Sequence, residues 1–260
     1  DFSASFGPAR NQGQRSTCMA FAMSDLNRDA AAAPAALSAE FLYQTAGALT
    51  PGWRPGQGLR TVEAIRATQA PGQPLDAHFP YQAVDPISTD HPVAPAGQPL
   101  YASAFALRSP AMQPIIDALT RGHAVGLVTR VTLGLFSPVG GVVRNEVNVL
   151  PGQYHALLAV GWGTAPSSGM RHLLVRNSWS EMWGLSGHAW LPEPFVNLHV
   201  VEVFGGFGFD VFKALFEFLV DAFQGGFGVN VEGHFSPGFE LSFICNHGRD
   251  AVQLWLAGWV

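Results

Sequence analysis

The chain has 260 residues, 48% of them hydrophobic, enough to bury one large core or two apposed lobes and too apolar for a disordered reading. Its 19 acidic and 14 basic residues give a net charge of -5 with no basic run or face, which excludes a phosphate backbone as a natural partner. Two cysteines, Cys18 and Cys245, allow at most one disulfide, and no stretch approaches the ~20 uncharged apolar residues that would span a bilayer.

In chain order, four zones differ. The chain opens at Asp1 with no basic n-region or apolar h-region, so any signal or pro-segment is expected upstream of it. Residues 12 to 75 are Ala-rich with helical periodicity: "CMAFAMSDLNRDAAAA" from Cys18, "SAEFLYQTAGAL" with Ser38 as N-cap, and "TVEAIRATQA" from Thr61 with Glu63 in its first turn. Residues 76 to 104 carry prolines at 80, 86, 92, 95 and 99 and read as a loop crossing between lobes.

From about 105 to 200 the pattern changes. A short helix, "AMQPIIDALTRG", precedes apolar runs bounded by glycine, "AVGLVTRV", "HALLAVGWG", "HLLVRNSW" and "GHAWLP", which predict a β-rich second lobe. Beyond that, 11 of the 19 phenylalanines lie at or after position 204, mixed with glycine. One amphipathic helix at 211–223 and three strands, "GVNVEGHF", "ELSFIC" and "AVQLWLAGWV", are expected there. No repeat period is present.

A nucleophilic thiol needs a cation or a helix N-terminus to favour its thiolate, because its ordinary pKa is about 8.5. Cys18 sits where the polar loop "RNQGQRST" gives way to the helix formers "MAFAMSD", which puts its sulfur in a first turn with unpaired N–H groups. A lone thiol is otherwise a small buried hydrophobe. Far downstream, "GQYHALLAVGWG" holds His155 and "LLVRNSWSEMWG" holds Asn177. Polar side chains in such apolar strands need partners, and each other is the economical answer. The remaining histidines, at 78, 91, 123, 172, 188, 199, 234 and 247, read as surface or loop residues. No H-E-x-x-H or paired C-x-x-C is present for a metal, and no G-x-S-x-G for a serine nucleophile. No cofactor is implied.

Over residues 5 to 195 this arrangement resembles the papain-like cysteine peptidases, with motifs of the form Q-G-x-x-x-x-C, H-A-x-x-x-V-G-W-G and N-S-W-x-x-x-W-G in that order. The separation of Cys18 and His155 falls within the span of about 130 to 150 residues expected for such a pair. The resemblance implies an α+β fold of two lobes, helical over about 1–104 and β-barrel-like over 105–204, with the site between them. It implies Cys18 as nucleophile, His155 as base and acid, Asn177 as the orienter of His155, and Gln12 as an oxyanion donor beside the Cys18 amide. Trp179 would shield the His–Asn pair and Trp183 flank the leaving-group side, with Tyr154 and Gly58 also at the substrate. The implied reaction is hydrolysis of peptide or protein substrates through a thioester. Transglutamination or deamidation of a protein target, and a silent binding module, are the alternatives.

Departures are as informative. Members of animals and plants have a disulfide-locked cysteine before the nucleophile and a Trp after it, where this chain has Arg15 and Met19. Arg15 reads as a solvated surface residue, or else as a source of positive potential for the thiolate. The segment that pairs with substrate backbone is altered to "RPGQGLR". Disulfide-free members of this kind are bacterial, and an Ala-, Gly- and Pro-rich chain suits a GC-rich genome, which favours a secreted or exported bacterial protein. Residues 205–260 lie outside the resemblance and read as an extension that packs on the β lobe or mediates association. With Lys213 and Arg249 against seven acidic residues beyond position 200, membrane-surface insertion is the poorest reading. Cys245 reads as a buried small hydrophobe, the alternative being a regulatory disulfide with Cys18.

Overall fold

A computed structural model of the chain describes residues 1–206 in full and, as backbone, 240–247 and 250–257. The chain divides into two compact units, Asp1–Gly206 and Phe207–Val260. In the second, the strands β7 (Glu240–His247) and β8 (Asp250–Ala257) form an antiparallel hairpin, where "ELSFIC" and "AVQLWLAGWV" were expected to be strands. The helix at 211–223, the strand "GVNVEGHF" and the side chain of Cys245 lie outside the described residues.

The first unit begins with three helices: α1 (Cys18–Ala30), α2 (Ala39–Leu49) and α3 (Thr61–Gln69). Ser38 caps α2 as expected, its hydroxyl accepting from the Phe41 amide at 2.9 Å. The proline-rich segment after α3 runs without helix or strand to β1 (Phe105–Arg108). Then come α4 (Met112–Thr120), β2 (Val125–Arg130), the one-turn α5 (Leu133–Phe136), β3 (Tyr154–Thr164), β4 (Arg171–Arg176), β5 (His188–Pro192), α6 (Glu193–His199) and β6 (Val200–Gly206).

The six strands form one antiparallel sheet in the order β1-β6-β2-β3-β4-β5, barrel-like but not closed. Strand alternation sends successive side chains to opposite faces. Leu127, Leu157, Ala159, Leu173, Val175 and Leu191 face α4 and α6, whereas Val128, Ala156, Leu158, Val160 and Leu174 face the helical lobe. That is why these runs are apolar throughout rather than alternating: both faces of the central strands are covered. Gly126 in β2 serves this packing directly, since a Cβ there would stand 2.0 Å from the ring of Phe204 in the neighbouring strand.

Charge joins the lobes through the apolar interface. Asp25 on α1 accepts from Arg10 Nη2 at 2.7 Å and, through its other oxygen, from Arg176 Nε at 2.9 Å, at the end of β4. Arg176, 2% exposed, also donates to the carbonyls of Gly7 and Pro8, tying the N-terminal segment to the same point. A second link spans α3 and β6, where Thr61 donates to the Glu202 carboxylate. No described helix is long and apolar enough to cross a membrane.

Removing the shared carboxylate leaves two guanidinium groups facing each other in a buried site. Asp25→Ala is therefore expected to lower the unfolding free energy by about 3–5 kcal/mol, measured by denaturant titration. A loss below about 1 kcal/mol would place the cost of an exposed ion pair here instead.

Candidate active site

Cys18 is the first residue of α1, where the helix formers begin and the polar loop ends. The amides of Cys18 and Met19, with no intrahelical acceptor at a helix start, face the sulfur, as does the amide of Ala156 in β3. Burial of the thiol nevertheless outweighs these three donors and pushes its pKa up. The thiol packs beside the core cluster that contains Ala156, the residue that follows His155 in β3.

His155 is 4% exposed. Its Nε2 lies 2.7 Å from Oδ1 of Asn177, just beyond β4. That oxygen also accepts the Ser178 amide at 2.8 Å. A carbonyl oxygen can only accept, so Nε2 carries the hydrogen and Nδ1 is the basic nitrogen. The indole of Trp179 lies over the imidazole with ring centroids 4.3 Å apart. Burial drives the His155 pKa down to about 4, against the opposing effect of the Asn177 hydrogen bond.

The loop before Cys18 is strapped to the segment after Asn177. Gln12 N donates to Ser178 O at 2.9 Å, and Ser180 N to Arg10 O at 3.0 Å. The Gln12 carboxamide is buried and held at both ends: Ser178 Oγ donates to its Oε1 at 2.7 Å, and its Nε2 donates to Arg15 O at 2.7 Å. One Nε2 hydrogen is thus engaged within the loop. Tyr81, from the proline-rich segment, donates its hydroxyl to Gln12 O at 2.8 Å and accepts from Thr17 Oγ1 at 2.8 Å.

Arg15 is not a solvated surface residue. Its side chain is 4% exposed, bound to Glu40 of α2 and to Asp85. The alternative role as a positive field on the thiolate fits no better, because two carboxylates surround the one guanidinium. His199 also departs from a surface reading: it is 1% exposed, with Nε2 2.7 Å from Glu146 O and its ring against Phe195. The apolar helix α6 carries it inward.

The other expected residues are spread around this centre. Gly58 borders the nucleophile loop, a Cβ on it lying 3.9 Å from Ser16 O. Tyr154 opens β3 and is 57% exposed. Trp183 is buried beneath Trp179, edge-on at 6.0 Å, its indole N–H donating to Leu135 O at 2.8 Å. Sequence reasoning passed over Phe136, which stacks on the outer face of Trp179 at 5.2 Å with a 3° tilt. It also passed over Ser178, Tyr81 and Thr17. Ser178 stood inside the "NSW" motif, whereas Phe136 on its one-turn helix carried no signal. Among the described residues, no group of three or more His, Cys, Asp or Glu side chains is placed to hold a metal.

The model of the papain family of cysteine proteases matches residues 3–194 of the chain. No curated protein matches it. Solved structures do: Xylellain, a cysteine protease from Xylella fastidiosa, with a TM-score of 0.63 at 16% identity over 76% of this chain and 81% of that one. The Carica candamarcensis cysteine protease CMS1MS2, in complex with E-64, matches with a TM-score of 0.57 at 20% identity over 76% and 92%. Digestive procathepsin L 3 of Tenebrio molitor larval midgut matches with a TM-score of 0.62 at 18% identity over 77% and 66%.

With Cys18 replaced by Ala, burial opposed by the Asn177 hydrogen bond governs the titration of His155. In Cys18→Ala the His155 ring is expected to titrate near pH 4, read from its Cε1–H chemical shift. A midpoint at the ordinary value of about 6.5 would contradict the burial. The folded state then binds fewer protons than the unfolded chain between those two values, so stability falls as pH drops through that window.

Proposed function

The chain belongs to the papain family of cysteine proteases, and from that premise we propose that it hydrolyses peptide bonds with Cys18, His155, Asn177 and Gln12 in the roles their chemistry suits. The carrying observation is the His155 Nε2 to Asn177 Oδ1 hydrogen bond of 2.7 Å beneath Trp179. It leaves Nδ1 as the ring nitrogen able to exchange a proton with the thiol.

In the reaction, Nδ1 takes the Cys18 proton as sulfur attacks the peptide carbonyl carbon. The carbonyl oxygen becomes an oxyanion that accepts from the Cys18 amide and from the second Nε2 hydrogen of Gln12, the first being held by Arg15 O. As the intermediate collapses, the imidazolium returns its proton to the leaving amine and a thioester remains. Water, deprotonated by His155, then attacks the thioester and releases the acid and the thiol. Trp179 keeps bulk water off the His–Asn bond, and Phe136 covers the outer face of Trp179 in turn.

The substrate is a peptide or protein chain. Gly58, exposed at the edge of the nucleophile loop, leaves its backbone open to an extended peptide; Tyr154 and Trp179 border the leaving-group side, and Trp183 supports Trp179 from beneath. The extension at 205–260 is proposed as a separate packing or association element.

Cys18→Ala is expected to abolish peptide hydrolysis, and E-64, the epoxide held by the Carica protease, to form a covalent adduct at Cys18 seen by peptide mass mapping. Gln12→Ala is expected to lower kcat by about 10² to 10³-fold with little change in KM. Hydrolysis retained by Cys18→Ala would overturn the assignment, as would an adduct elsewhere.

A further inference from the structure

The side chain of Arg15 is one of the most completely engaged in the described part of the chain. Its Nη1 and Nη2 donate to the two oxygens of Glu40 at 2.5 and 3.2 Å, its Nε to Asp85 Oδ1 at 2.7 Å, and Nη1 again to Gln82 O at 2.7 Å. The guanidinium is sandwiched by aromatic rings, 4.8 Å from the centroid of Tyr81 and 5.0 Å from that of Tyr43. Glu40 is anchored in turn by Gln44 Nε2 at 2.9 Å and the Gln82 amide at 3.2 Å. Three separate stretches of chain thus meet on one side chain: α2, the proline-rich crossing and the nucleophile loop. Such a fork has a single low-energy orientation, because four of its five N–H hydrogens are matched to oxygens.

On the backbone side of the same residue, Arg15 O accepts from Gln12 Nε2 and from the Thr17 amide at 2.9 Å. Among the described residues that carbonyl is the one acceptor of Nε2, so with Ser178 holding Oε1 its position decides where the second Nε2 hydrogen points. Tyr81 repeats the coupling, one face on the guanidinium and its hydroxyl on Gln12 O. We infer that Arg15 is a positioning residue for oxyanion stabilisation: clamped between Glu40 and Asp85, it fixes the carbonyl that aims the Gln12 carboxamide, and so acts on the transition state without touching substrate. This rests on the proposed roles of Cys18 and Gln12.

The test separates positioning from folding. Arg15→Met alone would strand the Glu40 charge, so the variant is Arg15→Met/Glu40→Met, an apolar pair of similar volume of the kind that buried ion pairs tolerate. It is expected to melt close to wild type, keep KM within about twofold, and lose about 10-fold or more in kcat, part of what a missing oxyanion donor costs. A peptide aldehyde, whose thiohemiacetal oxygen occupies the oxyanion position, should weaken in proportion to kcat, while alkylation of Cys18 by iodoacetamide, which forms no oxyanion, should keep its rate. In a Gln12→Ala background the same double substitution should cost less than about twofold, since there is no carboxamide left to aim.

A folded double variant with wild-type kcat and aldehyde affinity would overturn the inference, as would a loss undiminished by Gln12→Ala. If the double variant does not fold, Asp85→Ala opens the more exposed end of the clamp while Glu40 still neutralises Arg15. A fall in kcat and aldehyde affinity with unchanged alkylation supports positioning, and unchanged values of all three refute it. Failure of the underlying reading is a different result: Cys18→Ala or Gln12→Ala would then turn over like wild type.

Discussion

The geometry of the site depends on one carboxylate. Asp25 lies two turns along α1 from Cys18, and Arg176, which it binds, immediately precedes Asn177. A single ion triad therefore indexes the helix that starts at Cys18 against the strand end that leads into Asn177, the hydrogen-bond partner of His155. Arg10 completes it, and two residues further on the chain reaches Gln12. Apolar packing between helices and sheet is permissive of small slides, whereas paired charges in a buried site are intolerant of them. The lobes carry the halves of the site separately, and this triad sets their register.

Around that frame the site is dry on one side and polar on the other. Trp179, backed by Trp183 and faced by Phe136, covers the His155–Asn177 pair, and the same burial raises the thiol and lowers the imidazole. Each charged form is costly by itself here. His155 is held in place by Asn177 and by the indole above it. The polar side, by contrast, is built from neutral hydrogen bonds among Gln12, Ser178, Tyr81, Thr17 and the loop backbone.

The residues that could be read from sequence are those whose role is written in their immediate neighbours. Cys18 stood at a boundary between loop and helix formers, and His155 and Asn177 stood out as polar residues in apolar strands. The two-lobe α+β fold was legible for the same reason, since covered strands and amphipathic helices have different periods. What was not legible depends on distant partners. Nothing near Arg15 announces Glu40 or Asp85, 25 and 70 positions away, so a basic residue in a polar loop looked solvated. His199 looked like a surface residue because its acceptor is the Glu146 backbone, 53 positions back. The strands β1 and β6 went unread: β1 has four residues, and both acquire meaning only by pairing with each other across nearly a hundred residues and, for β6, with β2.

The Arg15 cluster has a further chemical meaning. Guanidinium, carboxylate and phenol hold the loop before Cys18, and no sulfur takes part. Among the described residues a thiol reductant has no disulfide to break in this cluster, and an oxidant has none there to form. Thiol–disulfide exchange with the surroundings therefore acts at Sγ of Cys18 among the described side chains. Cys18 capped as a mixed disulfide returns to the thiol by exchange with a small thiol, and as a sulfenic acid by condensation with one thiol, losing water, and exchange with a second, with no refolding of the loop before it.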